Sequence, residues 1–258
     1  MNAPGLLPAS VQIADLGWRQ LLRSKLLVGL GLLVVAPAIM AGIIHAYARG
    51  SSAPQDYQAM QAIVLSVVVV PLVSLLLGTA ALASEREGGT LAYLFTRPVP
   101  RAAVVVGKGA VAMGAAVVVT VLATLATWIA SGAPDAQMPG GVAALSLQAF
   151  AMTGAFVFLG TVLARGLYLG LAYVVLVEGL LGNVPIARGG WTIGSHARNL
   201  LSSWSSRSIP DPEMLVALPG GAAQSVLALL LVGVAGILAA CVWVERREYG
   251  LKDRPKEE

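Results

Sequence analysis

Glu178 is the one acidic side chain deep inside a long apolar stretch, Leu176-Val177-Glu178-Gly179-Leu180. A carboxylate at bilayer depth costs at least ~2.5 kcal/mol, so it must face protein or water and find a partner. Arg188, His196 and Arg198 follow it and are candidate partners. Two roles fit such a residue. It either contacts a substrate or ion, or anchors residues 185–221 back onto the apolar helices. Other chemistry is hard to find. No G-x-x-x-x-G-K-[ST] phosphate loop occurs. Gly107-Lys108-Gly109 lacks the following Ser or Thr that would hold magnesium. H-E-x-x-H, G-x-S-x-G and S-x-x-K are also missing. The two histidines, His45 and His196, lie on separate segments and give a metal cluster little support. The sequence thus points away from an enzyme and carries no cofactor motif of its own. The single cysteine, Cys241, has no intrachain partner for a disulfide and reads as a buried, inert thiol.

The second informative segment is residues 84–101, Ser84-Glu85-Arg86-Glu87-Gly88-Gly89-Thr90-Leu91-Ala92-Tyr93-Leu94-Phe95-Thr96-Arg97-Pro98-Val99-Pro100-Arg101. Charges come first, then a Gly-Gly turn. Thr90 is placed to cap a short helix. Leu91, Leu94 and Phe95 stand at i, i+3 and i+4 and share one apolar face. Pro98 ends the helix. A short amphipathic helix held between two long apolar runs suits insertion into a groove on a partner. It equally suits rest on a lipid surface.

The elements that must position these residues are membrane helices. The chain of 258 residues is 57% hydrophobic and only 12% charged. Soluble globular chains carry about 25% charged residues. A chain this short cannot hide the difference in a large soluble core. Its apolar runs also reach the roughly 20 residues that a bilayer of about 30 Å requires of a helix. Aromatics are few and no ten-residue alternation recurs, which argues against an outer-membrane barrel. The expected fold is therefore all-α and membrane-embedded, one permease-sized domain over 1–258. An amphipathic interfacial helix is expected over 10–24, with Val11, Ala14, Trp18, Leu21 and Leu22 on one face. Six spans are expected at about 26–46, 60–83, 102–130, 143–164, 166–184 and 222–244. Pro37 and Pro71 fall inside spans and are expected to kink them. Ala46-Tyr47-Ala48 mimics a signal cleavage site, but the run before it is near full membrane length and reads as an uncleaved span.

Lys and Arg set the orientation. One side receives Arg19, Arg23, Lys25, Arg86, Arg97, Arg101, Lys108, Arg165 and the five basic residues from Arg246 onward. The other receives Arg49, Arg188, Arg198 and Arg207. The positive-inside rule places both termini and the 84–101 loop in the cytoplasm. The net charge of +4 is explained by these helix ends and needs no nucleic-acid partner. Residues 185–221 carry four prolines around Trp191, Leu200, Leu201 and Trp204, so they read as short helices on the outer face or re-entrant. Gly166 and Gly170, Gly160 and Ala164, and Ala110 and Gly114 offer small-residue pairs for close helix approach.

The run E-R-E-x-G-T-L-x-x-L-x-x-x-P-x-x-R resembles the coupling-helix region of ABC exporter permeases of the second export superfamily, the type V fold. The subgroup it is similar to includes permeases for sodium extrusion and for nitrous oxide reductase maturation. Glu85, Arg86, Glu87, Gly89, Thr90, Leu91, Leu94, Pro98 and Arg101 fall on the pattern, and Phe95 stands where leucine is usual. The motif covers under a tenth of the chain; the six-span plan with an interfacial helix before it extends the likeness. The resemblance implies a homodimer of permeases in the bacterial inner membrane, bound to two copies of a separate ABC ATPase. ATP and Mg2+ would reside in that partner. Glu87 and Arg86 would make polar contacts there, and Leu91, Leu94 and Phe95 would fill its cleft. A secondary transporter or channel using Glu178 is the alternative, although such proteins usually hold several intramembrane ionisable groups. Ser66, Ser74, Thr79, Thr120, Thr124 and Thr127 are the hydroxyls within the spans, too few and too scattered to name a substrate.

Overall fold

The computed structural model describes residues 6–47, 57–87, 101–133, 137–163, 165–180, 190–204 and 221–246. The described residues form eight helices and no strand. They are α1 (Leu6–Leu22), α2 (Leu26–Tyr47), α3 (π-helical over Met60–Val69, α-helical over Val70–Glu87), α4 (Arg101–Ser131), α5 (Met138–Val162), α6 (Gly166–Leu180), α7 (Ile193–Trp204) and α8 (Gly221–Arg246). Five of them, α2, α3, α4, α5 and α8, are long and apolar enough to cross a membrane, and α6 is a shorter apolar helix. With backbone groups satisfied inside each helix, such segments can sit in hydrocarbon.

Helix α5 is the centre of the bundle. It packs against α8, α3 and α4, while α2 leans on α4. Its Leu145, Gln148, Ala149, Met152 and Phe156 are fully enclosed. Glycine sets the α5–α8 crossing. A methyl group on Gly154 would collide with the Gly233 carbonyl, and one on Gly236 would collide with the Gly154 carbonyl. The backbones therefore touch, which is how helices gain contact where lipid offers no hydrophobic drive. Gly166 and Gly170 serve the same purpose, α6 riding close on Gly160 and on Leu75 and Phe156. Gly114 meets nothing, so the Ala110–Gly114 pair is not a packing seam. Apolar side chains such as Val28, Leu32, Val35 and Ile39 of α2 and Leu231 and Leu238 of α8 lie exposed, as a lipid-facing surface requires.

The expected distortion at Pro71 has a definite form. Through Met60–Val69 the helix is π-helical, and the Val70 N–H reaches back five residues to the Leu65 carbonyl. In that register the Ser66 carbonyl should accept from residue 71, but proline has no N–H. Gln148 of α5 supplies the donor instead, its Nε2 lying 2.7 Å from the Ser66 oxygen. One proline thus explains both the orphaned carbonyl and a buried glutamine in the middle of an apolar helix.

Helix α1 runs across the start of α4. Gly107 faces the Ser10 carbonyl and Ile13, and Gly17 faces Val111. The face turned to protein is therefore Ser10, Ile13, Gly17 and Leu21. Val11, Trp18 and Leu22, expected as one apolar face, stay exposed. The helix has two apolar stripes, one for α4 and one for its surroundings.

Candidate functional site

At the end of the bundle opposite α1, Glu178 closes on the first turn of α7. The first backbone N–H groups of any helix lack intrahelical partners. In α7 each of them is satisfied. Ile193 N–H donates to Glu178 Oε1 at 3.0 Å. Gly194 N–H donates to Oε2 at 3.0 Å and to Oε1 at 3.3 Å. Ser195 N–H donates to Thr192 Oγ1 at 3.0 Å, the usual service of an N-cap threonine. His196 N–H reaches the Thr192 carbonyl at 3.5 Å. A negative charge also belongs at the positive end of the helix dipole. Tyr173, one turn earlier on α6, donates its hydroxyl to Glu178 Oε1 at 3.1 Å.

Local sequence makes this approach possible. A methyl group on Gly194 would stand 2.5 Å from Glu178 Oε2, so no side chain larger than hydrogen fits there. Glu178 sits in the π-helical stretch Val174–Leu180, and it is only 2% exposed. Arg198, two residues past the α7 first turn's end, is buried as well. Burial draws its pKa down, and the charge of Glu178 opposes that shift. The ion pair partners expected for Glu178 were Arg188, His196 and Arg198. Arg198 supplies charge, while the direct hydrogen bonds come from two backbone amides and a tyrosine. Arg188 lies outside the described residues.

The opposite face of α7 holds α8. His196 Nδ1 lies 3.2 Å from Ser225 Oγ. Asn199 Nδ2 donates to Ser225 Oγ at 2.8 Å and to the Gly221 carbonyl at 3.1 Å. At its last turn, α7 crosses α5 so closely that a methyl on Gly140 would strike the Trp204 carbonyl. Helix α7 thus ties together the ends of α5, α6 and α8. Burial lowers the pKa of His196, and a hydrogen bond to the Gly190 backbone opposes this.

Several polar groups buried in the bundle carry no sequence motif. Tyr57 and Gln58 just before Met60, and Gln61 of α3, are almost wholly buried, as are Gln137, the N-cap of α5, and Gln148 within it. Gln61 packs onto Gly141 of α5. Their legible signals were a glutamine inside an apolar run and a proline five residues after Ser66. By contrast, the span hydroxyls are mostly turned inward. Thr79, Thr124 and Thr127 donate to carbonyls of their own helices at 2.6, 2.8 and 2.7 Å. Ser74 reaches the Ala149 carbonyl at 3.4 Å. Such bonds serve packing rather than a lined path.

The other sequence-derived site falls mostly outside the description. The backbone of Glu85, Arg86 and Glu87 forms the last turn of α3, and Arg101 opens α4. Gly89, Thr90, Leu91, Leu94, Phe95 and Pro98 lie outside the described residues. Among the described residues no group of three or more His, Cys, Asp or Glu is placed to hold a metal.

Long apolar helices, glycine-mediated crossings and a lipid-facing periphery define a multi-pass membrane protein. The model of the ABC-2 family transporter protein matches residues 11–244, nearly the whole chain, and the chain belongs to that family. It is accordingly a permease component of an ABC transporter, and the family implies an ABC ATPase subunit as partner. No curated protein matches it.

Proposed function

We propose that the chain is the homodimeric permease of an ATP-driven exporter of the type V fold, in the subgroup resembling sodium-extrusion and nitrous-oxide-reductase-maturation permeases. On this reading it has six spans, the five long apolar helices and the shorter α6, and both termini face the cytoplasm of a bacterial inner membrane. Two ATPase copies, holding ATP and Mg2+, dock on the loop 84–101. The observation that carries this reading is the charged and apolar pattern of that loop, E-R-E-x-G-T-L-x-x-L, in a chain of the ABC-2 family that has no phosphate loop. The loop joins α3 to α4 at the end of the bundle that also bears α1 and most of the lysines and arginines.

The competing reading makes Glu178 an ion or substrate contact. Its oxygens already accept from two amides and a tyrosine, which supports the anchor role over a carboxylate kept free for cargo. On this reading α7 caps the outer end of the pathway and Glu178 holds it in place.

The coupling loop is tested by Leu94→Asp. If Leu94 fills an ATPase cleft, the variant buries an unpaired charge there, at a cost of several kcal/mol. It should insert normally but fail to retain the ATPase in a pull-down, or fail to transport. Wild-type retention and transport would remove the coupling assignment.

A further inference from the structure

At the α7 end of the bundle, α3 and α5 meet along a polar seam. On α5, Gln137, Gly141 and Gln148 stand at i, i+4 and i+11 and share one face. On α3, Gln61 and Ser66 stand five residues apart, one turn of the π-helical stretch. Two contacts join these faces. The Gln61 amide abuts Gly141, where a methyl group would overlap it. Gln148 Nε2 donates to the Ser66 carbonyl at 2.7 Å. We propose that this seam binds water, held as a short file between Gln61, Ser66, Gln137 and Gln148.

The buried polar atoms of the seam define its ligand. Ser66 Oγ, Gln137 Oε1 and Gln148 Oε1 are enclosed and make no hydrogen bond. Tyr57 lies beside Gln61, yet neither Tyr57 Oη nor Gln61 Nε2 makes a hydrogen bond of ordinary geometry. The Gln61 amide also carries two protons, so a contact with Tyr57 leaves one over. None of Gln61, Ser66, Gln137 and Gln148 is more than 3% exposed. Polar atoms stranded at such depth destabilise a fold, and hydrocarbon around the bundle gives them no relief. Their mixture selects the chemistry. A cation would satisfy only the oxygens, and an anion only the N–H and O–H groups. Water donates and accepts at once, and a buried water usually holds about two to four partners. Pro71 contributes to the site from a distance. It leaves the Ser66 carbonyl to Gln148 Nε2, and that bond keeps the other end of the amide, Oε1, in the seam. Helix α7 lies over this end, packing on the π-helical part of α3 and on α5, so water would reach Ser66 from beneath α7. The proposal concerns one copy of the chain and is independent of how the ATPase couples.

Met152 is a probe already in place. Its Sδ lies 4.0 Å from Gln148 Nε2, and its side chain is 0% exposed. Met113 of α4, 7% exposed, is the reference. The test is X-ray radiolytic footprinting of the purified full chain in detergent, with methionine oxidation read by peptide mass spectrometry. Hydroxyl radicals arise where water lies, so bound water oxidises a neighbouring thioether that bulk solvent does not reach. Met152 should oxidise faster than Met113, the reverse of their exposure. Gln61→Leu and Ser66→Ala each remove part of the polar lining, and each should slow Met152 while leaving Met113 unchanged. Ser66→Ala keeps the Ser66 carbonyl and is the smaller change. It covers the case in which Gln61→Leu loosens the whole bundle, which faster oxidation of Met113 would reveal. Met152 oxidising no faster than Met113 in the wild type overturns the proposal, as does an unchanged Met152 rate in both variants. So does acetamide protecting Met152 more than Met113, which would assign the seam to an organic amide instead of water.

Discussion

Glu178 is the residue whose role matters most, because an anchor and an ion contact predict different variants. As an anchor, Glu178→Ala strands two amides and a tyrosine hydroxyl. That is expected to cost about 3–5 kcal/mol, as when one partner of a buried charged network is removed. Gly194→Ala leaves the carboxylate intact but pushes it away, and should destabilise the protein in the same direction. A thermal melt of both variants in detergent reads the effect. If Glu178 instead served cargo, Glu178→Gln would abolish transport with its stability unchanged. His196 gives the pH dependence of the same corner. Its folded pKa is depressed by burial, so its contribution is present above its unfolded value of about 6.5. It is lost as pH falls through that value towards the depressed folded one. The melting temperature should therefore fall between pH 7.5 and 5.5, and His196→Asn should flatten this part of the decline.

At the scale of the element, α3 and α5 are coupled by a single absent proton. Pro71 deprives the Ser66 carbonyl of a backbone donor, and Gln148 restores one at 2.7 Å. Replacing Gln148 by Leu should cost about 1–3 kcal/mol, the penalty of an unsatisfied buried acceptor. In a Pro71→Ala background, an N–H becomes available at residue 71, so the same replacement should cost less. A double-mutant cycle on unfolding free energy measures the difference. Strict additivity would mean that the glutamine does not compensate for the proline.

For the whole molecule, topology is the quantity that ties the site to the proposed function. If both termini and loop 84–101 are cytoplasmic, then on a Cys241→Ala background a cysteine placed at Ser52 or Ser205 should react with an impermeant thiol reagent added to intact cells. One placed at Thr96 should stay unlabelled. Labelling at Thr96 from outside would invert the arrangement, placing α7 on the cytoplasmic side and the proposed ATPase contact on the wrong face.

Membrane class and the all-helical fold follow from the sequence alone. Low charge and apolar runs of bilayer length leave helices as the economical way to satisfy the backbone in lipid. The loneliness of Glu178 and the need for a distortion at Pro71 are also legible, because each is a local cost that one residue imposes. What answers those costs is a tertiary matter. The partners of Glu178 are mainly backbone amides of Ile193 and Gly194, and every residue has an amide, so no side-chain type marked them in advance. Gln148 finds Ser66 across 82 positions, and only the crossing of α3 and α5 brings them together. Likewise, Gly107 of α4 lets α1 approach so closely that a methyl there would strike the Ser10 carbonyl, a contact that the hydrophobic periodicity of α1 does not encode. Periodicity records which residues avoid water; in a bilayer, lipid and protein neighbours satisfy that need equally, and only packing distinguishes them.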